Sequence, residues 1–182
     1  MKKIVTALVA GAFLFAAGYA IAQTGPLVLP VGKESPTVDG VVGASEYAVG
    51  TEVRPVKLWL SRTTDTVFAA ISAQTTGWVA LGFGSQRMNG ALMFIGFVDS
   101  GGKTQLKVQK GAGHSHGDLE SDALVKFAMK EAGGVTTLEL ELKADSLIAK
   151  GATELPIIFA MGGADSFISL HRARGSQLVK LQ

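Results

Sequence analysis

The sequence predicts an all-β protein, an antiparallel β-sandwich with an immunoglobulin-like arrangement of about ten strands. Short segments rich in Val, Leu, Ile and Phe alternate apolar with polar residues, which is the period of a strand with one buried face. Turn sequences such as Ser100-Gly101-Gly102 and Gly133-Gly134 separate these segments at regular intervals. Helical periodicity is nearly absent, so the apolar faces must pack sheet against sheet.

Residues 1–22 have the features of a secretory signal peptide. Lys2 and Lys3 form a positive start, an apolar run follows, and Ala20-Ile21-Ala22 gives the small-x-small cleavage pattern. The alternative is a retained membrane anchor, because the apolar run is nearly long enough to span a bilayer. We expect cleavage, which leaves residues 23–182 as one periplasmic or secreted domain without membrane insertion.

Charge and cysteine content exclude several functions. The chain has 17 Lys and Arg and 15 Asp and Glu, and two of the basic residues lie in the leader, so the mature chain carries no net charge. Nucleic-acid binding favours a net basic face, so nucleic acid is not an expected partner. The chain has no cysteine, which excludes disulfides, iron–sulfur clusters, thiolate-held copper or zinc, and covalently attached haem.

The first half of the mature chain predicts an N-terminal arm and four strands. Residues 23–31 contain two prolines and form a strand or arm, and Thr37-Val38-Asp39-Gly40 is a turn. The four strands that follow are expected at residues 57–61, 66–73, 78–83 and 91–98.

The second half predicts further strands at residues 103–110, 124–130, 135–143 and 155–161. Residues 111–121 are expected to be a polar, glycine-rich loop, and 144–149 a short helical turn. The end of the chain is interpreted as a segment at 167–171, a basic turn at 172–175 and a last strand at 177–181. Glu139 and Glu141 alternate with leucines and are expected to face solvent.

Residues 77–99 form the centre of the chain, a hairpin that is apolar on both faces and is therefore expected to be buried on both. Its polar loop, residues 84–90, ends in Asn89-Gly90, a strong turn signal. Met88 is unusual because it lies in this loop, whereas a core methionine such as Met93 lies in an apolar run. A thioether at this position either packs under a neighbouring loop or binds a soft metal or a haem iron.

Motifs along most of the mature chain resemble DOMON domains. The central segment Gly77-Trp78-Val79-Ala80-Leu81-Gly82-Phe83-Gly84, followed by Met88 and by a strand that ends at Asp99, is similar to the core motif of that family. The stretch from Ala160 to Asp165 with His171-Arg172-Ala173-Arg174-Gly175 is similar to its C-terminal signature. Val38-Asp39-Gly40 with Glu46-Tyr47 resembles its opening motif.

The resemblance implies an exported β-sandwich that binds either haem b or a sugar. In the haem-binding branch a loop methionine and a C-terminal histidine are the axial ligands, and this pair falls here at Met88 and His171. The two donor atoms would have to face each other about 4–5 Å apart across the iron. The pocket is expected between the sheets or at one end of the sandwich, lined by Trp78, Phe83, Met93 and Phe94. Propionate partners are expected at Arg87, Arg172 and Arg174.

An iron held non-covalently by Met and His has no open position, so the expected activity is single-electron transfer with a redox partner protein. The chain is expected to have no catalytic site, because hydrolase and phosphate-loop motifs are absent from the sequence. Two alternatives stay open: a non-catalytic module that binds a carbohydrate or another small ligand, and an interaction domain with an empty pocket.

His114 and His116, with Asp118 and Glu120 close by, are a second candidate site. Histidines separated by one residue point the same way on a strand and can chelate Cu(II), Zn(II) or Ni(II). In a glycine-rich loop the alternative is a solvated tip that binds metal only adventitiously.

Overall fold

The computed structural model describes residues 26–33 and 35–182, so the predicted signal peptide lies outside the described residues. It confirms the all-β class, with twelve strands and one 3-10 turn at Ala144–Ser146. No helix within the described ranges is long and apolar enough to cross a membrane. The strands are β1 Leu27–Leu29, β2 Val49–Val53, β3 Val56–Arg62, β4 Thr66–Ala73, β5 Val79–Phe83, β6 Leu92–Val98, β7 Thr104–Ala112, β8 Ser115–Asp118, β9 Leu124–Ala132, β10 Val135–Lys143, β11 Glu154–Gly162 and β12 His171–Leu181.

The strands form two sheets. The seven-stranded sheet has the order β1-β12-β11-β5-β6-β7-β8, and the five-stranded sheet has the order β2-β3-β4-β10-β9. Neighbouring strands are antiparallel except β1, which pairs with β12 in parallel. The predicted central hairpin is thus β5–β6, in the middle of the larger sheet.

The main core lies between the two sheets. Every second residue of the central strands points into it, as the two-residue period requires. Its fully buried side chains include Phe83, Phe94, Leu81, Leu138 and Leu140. Phe83 and Phe94 pack edge to face with ring centroids 6.1 Å apart, which fills the space between the sheets at the hairpin.

The hairpin β5–β6 is buried on its other side too, as the sequence predicts. We call this side, which faces away from the five-stranded sheet, the outer apolar face. Its buried members are Trp78, Ala80, Ala91, Met93, Ile95 and Phe97, packed against partly buried Met88, Ile158, Ala160 and Phe167. Two loops cover this face: the β5–β6 loop, which contributes Met88, and the β11–β12 loop, which contributes Phe167.

Two local predictions are wrong, and one strand was not predicted. β2 was not expected, because Val49–Val53 contains a glycine and two polar residues and is held mainly by pairing with β3. The predicted loop 111–121 contains a hairpin, since β8 pairs with the end of β7. The predicted basic turn 172–175 is continuous strand, because β12 pairs with β11 along this stretch and the Phe159 ring occupies the space beside Gly175.

Glu139 is also a correction, since it is fully buried rather than exposed to solvent. Its carboxylate accepts hydrogen bonds from the backbone N–H groups of Asp39, Gly40 and Val41, at 3.0, 2.7 and 3.1 Å. The hydroxyl of Tyr47 donates a fourth, at 2.8 Å. Burial and this carboxylate raise the pKa of Tyr47. Glu139 therefore holds the segment 37–47 against the outside of the five-stranded sheet.

Candidate functional site

The outer apolar face is built in rows of residues that pair across the strands. The first row runs from His171 on β12 through Gly162 to Trp78, whose carbonyl accepts a hydrogen bond from Gly162 N–H at 2.9 Å. The second row holds Arg174, Ala160, Ala80, Ile95 and Lys107. The third holds Ser176, Ile158, Gly82, Met93, Gln109 and Asp118.

Small residues make the middle of this face shallow. Ala80 and Ala160 lie side by side in the second row, and Gly82 has no side chain in the third. A Cβ at Gly82 would lie 2.7 Å from Cγ1 of Ile158 and 2.9 Å from Cγ of Met93. These two side chains therefore fill the space above the glycine, and the centre of the face is a closely packed apolar floor.

Met88 lies over one end of this floor. Its carbonyl accepts a hydrogen bond from Ala91 N–H at 3.0 Å, and the Gly90 N–H donates to the Gly111 carbonyl at 3.0 Å, so the β5–β6 loop folds onto β7. The Met88 backbone occupies the place that a side chain on Gly111 would need. The glycine at 111 thus allows the loop to place the thioether on the outer apolar face.

Trp78 lies at the other end of the outer apolar face and contacts the β11–β12 loop there. Its indole covers Gly162, where any Cβ would overlap the ring, and its Nε1–H donates to Oγ of Ser169 at 2.8 Å. The β11–β12 loop is thereby held on the face, and Phe167 packs against Phe97 with ring centroids 4.8 Å apart. Phe167 is a site residue that the sequence analysis missed, because nothing local to it indicates which surface the loop folds onto.

His171 begins β12 at the Trp78 end, and it is exposed. It is paired with Gly162, in the first row, whereas Met88 lies over Gly111, six residues further along the strands. At the rise of a β-strand this separation is about 20 Å along the strands. β12 and β7 are also four strands apart, which adds about 19 Å across the sheet. The structure thus places Met88 on the outer apolar face, whereas His171 lies at the start of β12, where the β11–β12 pairing is irregular.

The predicted pocket residues divide between two faces. Trp78 and Met93 are on the outer apolar face with Met88. Phe83 and Phe94 belong to the core between the sheets, because they differ from Trp78 and Met93 by an odd number of residues along their strands. Phe83 therefore does not line the same surface as Met88, which corrects the prediction.

The three predicted propionate partners are exposed arginines. Arg174 lies in the second row beside Ala160, and the guanidinium of Arg172 lies against Gly163 in the β11–β12 loop. Arg87 lies next to Met88 in the β5–β6 loop. Both ends of the face thus have a cation at the rim.

A polar edge along β7 and β8 surrounds Asp118. Asp118 pairs with Gln109 across the strands, accepting hydrogen bonds from Gln109 Nε2 and Lys107 Nζ, both at 2.7 Å. These bonds, Gln109 first, lower the pKa of Asp118. The Lys107 ammonium also lies 5.3 Å from the centroid of the Phe167 ring.

His116 belongs to this edge and shares the face with Met88, because it pairs with Gly111. Directly opposed residues of an antiparallel pair point to the same side. His114 lies in the exposed turn between β7 and β8. The sequence identified both histidines but could not separate them, since that depends on the β7–β8 register.

The opposite side of the sandwich carries a shallow groove of about 290 Å³. It lies on the five-stranded sheet between the segment held by Glu139 and the end of β9. Half-buried Trp59 is its aromatic wall, and Ser72, Thr137 and Lys130 supply polar groups.

Several solved structures are similar to this chain. The cytochrome domain of Myriococcum thermophilum cellobiose dehydrogenase has a TM-score of 0.55 and 12% identity, over 74% of this chain and 81% of that one. The cytochrome b domain of Coprinopsis cinerea pyranose dehydrogenase has a TM-score of 0.53 and 8% identity, over 69% and 76%. A family 9 carbohydrate-binding module from Caldicellulosiruptor kristjanssonii has 0.48 and 13%, over 87% and 94%. At these identities the likeness shows the fold alone.

No curated protein matches the chain in sequence. The DOMON domain profile matches residues 55–162, more than half of the chain. The match spans β3 to β11 and includes the Gly77–Gly84 motif, the Met88 loop and most of the outer apolar face. It confirms the resemblance seen in the motifs: the chain belongs to the DOMON domain family.

Proposed function

We propose that this protein is an exported b-type cytochrome domain that transfers single electrons to or from a redox partner protein. The observation that carries the proposal is the outer apolar face, a buried apolar surface on which the Met88 thioether packs. Membership of the DOMON family, and a fold similar to two cytochrome domains, support it. Export rests on the signal-peptide features of residues 1–22.

The apolar character of the floor suits the body of a haem. Ala80 and Ala160 add little side-chain volume, but Ile158 and Met93 fill the space over Gly82, so a flat ring enters only when these two side chains rotate away. Met93 and Ile95 then supply apolar contacts that exclude water. Arg172 and Arg174 at the β12 rim suit two carboxylates. The donor types also fit, since thioether and imidazole side chains are common axial ligands of haem iron.

The spacing between Met88 and His171 in this structure does not fit a haem iron that both residues ligate. A single iron needs the Met88 and His171 donors about 4–5 Å apart, whereas their backbone positions are separated by about 20 Å along the strands. Two side chains span only part of this distance. The β5–β6 and β11–β12 loops therefore have to approach each other over the floor, and Phe167 has to leave it. When bound and ligated on both sides, the haem supplies one-electron chemistry.

The test is a visible spectrum of the purified protein with haem supplied during expression, recorded oxidised and after dithionite reduction. We expect a sharp Soret band and resolved α and β bands on reduction, as six-coordinate low-spin iron gives. Met88→Ala and His171→Ala should each abolish this spectrum, because each removes an axial ligand.

The matched control is His114→Ala, which removes an exposed histidine in a turn and should leave the spectrum unchanged. Circular dichroism of each variant separates loss of haem from loss of fold. A protein that stays colourless and does not take up added haemin would overturn the proposal, as would unchanged spectra in both ligand variants.

The groove beside Trp59 gives the carbohydrate-binding alternative a location. An indole face with hydroxyl groups and an ammonium nearby suits a single pyranose ring, and about 290 Å³ is at the small end for a ligand site. Calorimetric titration with cellobiose and glucose, with Trp59→Ala beside wild type, tests this function. No heat in wild type, or equal binding by Trp59→Ala, would exclude this groove.

A further inference from the structure

The β11–β12 loop, residues 163–170, crosses the outer apolar face from β11 to β7. It is bonded to Trp78 beside β5, and its Phe167 ring reaches Phe97 on β6 and Lys107 on β7, which is the order of these strands in the sheet. We infer that Phe167 is an autoinhibitory latch: its ring holds this loop over the face, and a ligand that binds to the face has to displace it. The inference rests on the proposed function for the identity of that ligand.

The Phe167 ring lies against an aromatic ring and a cation that the sheet supplies. Its centroid is 4.8 Å from that of Phe97, at an interplanar angle of 51°, and the Lys107 ammonium lies 5.3 Å from the Phe167 centroid. Tilted aromatic pairs at about 4.5–7 Å attract each other, and an ammonium within about 6 Å of a ring centroid is attracted to the ring. Phe97 is itself buried, so Phe167 is held at a defined place on the face.

The position of the Lys107 ammonium is set from its other side by β8. Its Nζ donates to Oδ2 of Asp118 at 2.7 Å, and Oδ1 of the same carboxylate accepts from Nε2 of buried Gln109 at 2.7 Å. Asp118 is thus a positioning residue for the ammonium. The side chains of Lys107 and Asp118 are 41% and 63% exposed, and solvent weakens such exposed charge interactions. We therefore expect Lys107 to contribute less to the latch than Phe97 does.

Trp78 fixes the rest of the loop. Its indole Nε1–H donates to Oγ of Ser169 at 2.8 Å, and this hydroxyl donates to the Ser166 carbonyl at 3.2 Å. The backbone N–H of Trp78 donates to the Ala164 carbonyl at 3.3 Å. Phe167 lies between the two serines along the chain, so release of its ring loosens the contact of Ser169 with the indole. Exchange of the Trp78 indole proton therefore reports how often the loop opens.

A latch and a ligand-contact residue differ in the sign of their effect on affinity. Phe167 packs on the same buried cluster, with Ile95 and Phe97, that an apolar ligand of the face would cover. The ring therefore competes with such a ligand, and the apparent dissociation constant rises in proportion as the open state becomes rarer. Removal of a contact residue weakens binding, whereas removal of a latch strengthens it.

The first measurement is hydrogen exchange of the Trp78 indole N–H, followed by 15N nuclear magnetic resonance in the haem-free protein. Phe167→Ala should speed this exchange about tenfold, because the loop opens more often. Lys107→Met, which removes the ammonium and keeps an unbranched side chain, should speed it about threefold. Trp59 is the second tryptophan of the chain and lies on the opposite side of the sandwich, so its indole should exchange at an unchanged rate in both variants.

Leu170→Ala is the matched control, because it shortens an apolar side chain of the same loop that is 87% exposed and contributes little packing. It should change Trp78 exchange less than about twofold. Backbone amides of β4 and β10 report global unfolding and should keep their wild-type exchange rates in every variant, which separates loop opening from a loss of overall stability. Equal Trp78 exchange in wild type and Phe167→Ala, or equal acceleration by Leu170→Ala, would overturn the inference.

The second measurement distinguishes this inference from the cytochrome proposal. Haemin titration, followed at the Soret band, should give a dissociation constant about threefold to tenfold lower for Phe167→Ala than for wild type. Equal or weaker haemin binding by Phe167→Ala would overturn the latch and leave the cytochrome proposal standing. If neither protein takes up haemin, the cytochrome proposal fails and Trp78 exchange alone decides the latch.

Discussion

Glu139 shows that a correct strand alternation can still mispredict the burial of a single side chain. The alternation of Leu138, Glu139 and Leu140 predicts that the glutamate points away from the main core, and it does. The outward side is nonetheless covered, because the segment 37–47 folds over it and brings three backbone N–H groups and the Tyr47 hydroxyl to the carboxylate. The strand period gives the direction of a side chain but not what lies there.

Glu139→Gln should destabilise the protein by about 3 kcal/mol, because the amide cannot accept from every donor aimed at the carboxylate and places an NH₂ group among them. Urea unfolding of both variants measures this. Glu141→Gln is the matched control, since the same strand carries it two residues later and partly exposed, and it should change stability by less than about 0.5 kcal/mol. Equal effects in the two variants would contradict the role assigned to Glu139.

At the scale of elements, strands with a regular alternation could be predicted, and elements defined by their partners could not. The strands at 66–73 and 135–143 match the predicted bounds because their period is clean. β8 and the first half of β12 are rich in glycine, histidine and arginine, and only pairing with β7 and β11 makes them strands. The same limit left the face of His116 open, because that face is set by the β7–β8 register.

Gly162 tests the coupling between two elements, the start of β5 and the β11–β12 loop. Gly162→Ala should displace the Trp78 indole, break its hydrogen bond to Ser169 and cost about 1–3 kcal/mol, since a Cβ would overlap the ring. Near-ultraviolet circular dichroism and urea unfolding report both effects. Gly117→Ala is the control, because a Cβ there meets open space. An unchanged Trp78 signal in Gly162→Ala would contradict this coupling.

For the whole molecule, the fold class and the family follow from the sequence, and the position of the site does not. The sequence places Trp78, Phe83, Met88 and Met93 close together along the chain, and alternation separates Phe83 from Trp78. It leads to the expectation of a pocket between the sheets or at one end of the sandwich. The structure fills the space between the sheets with Phe83 and Phe94 and leaves the outer apolar face under two loops.

The separation of Met88 from His171 leads to a prediction about the whole sandwich. If one haem iron takes both ligands, the β5–β6 and β11–β12 loops must close over the floor and expel Phe167. The loop 163–170 has side chains suited to a new apolar surface, because Ile168 and Leu170 are 95% and 87% exposed. Haem binding would cover them and restrict both loops.

Hydrogen exchange with and without haem measures this closure. Peptides spanning residues 84–91 and 163–171 should gain at least tenfold protection, whereas β3, β4 and β10 in the five-stranded sheet should exchange at unchanged rates. His171→Ala is the control. Without the second ligand nothing holds the 163–171 loop against the haem, so this loop should gain no protection. Binding of haem with no change in either loop would show that Met88 and His171 do not ligate the same iron.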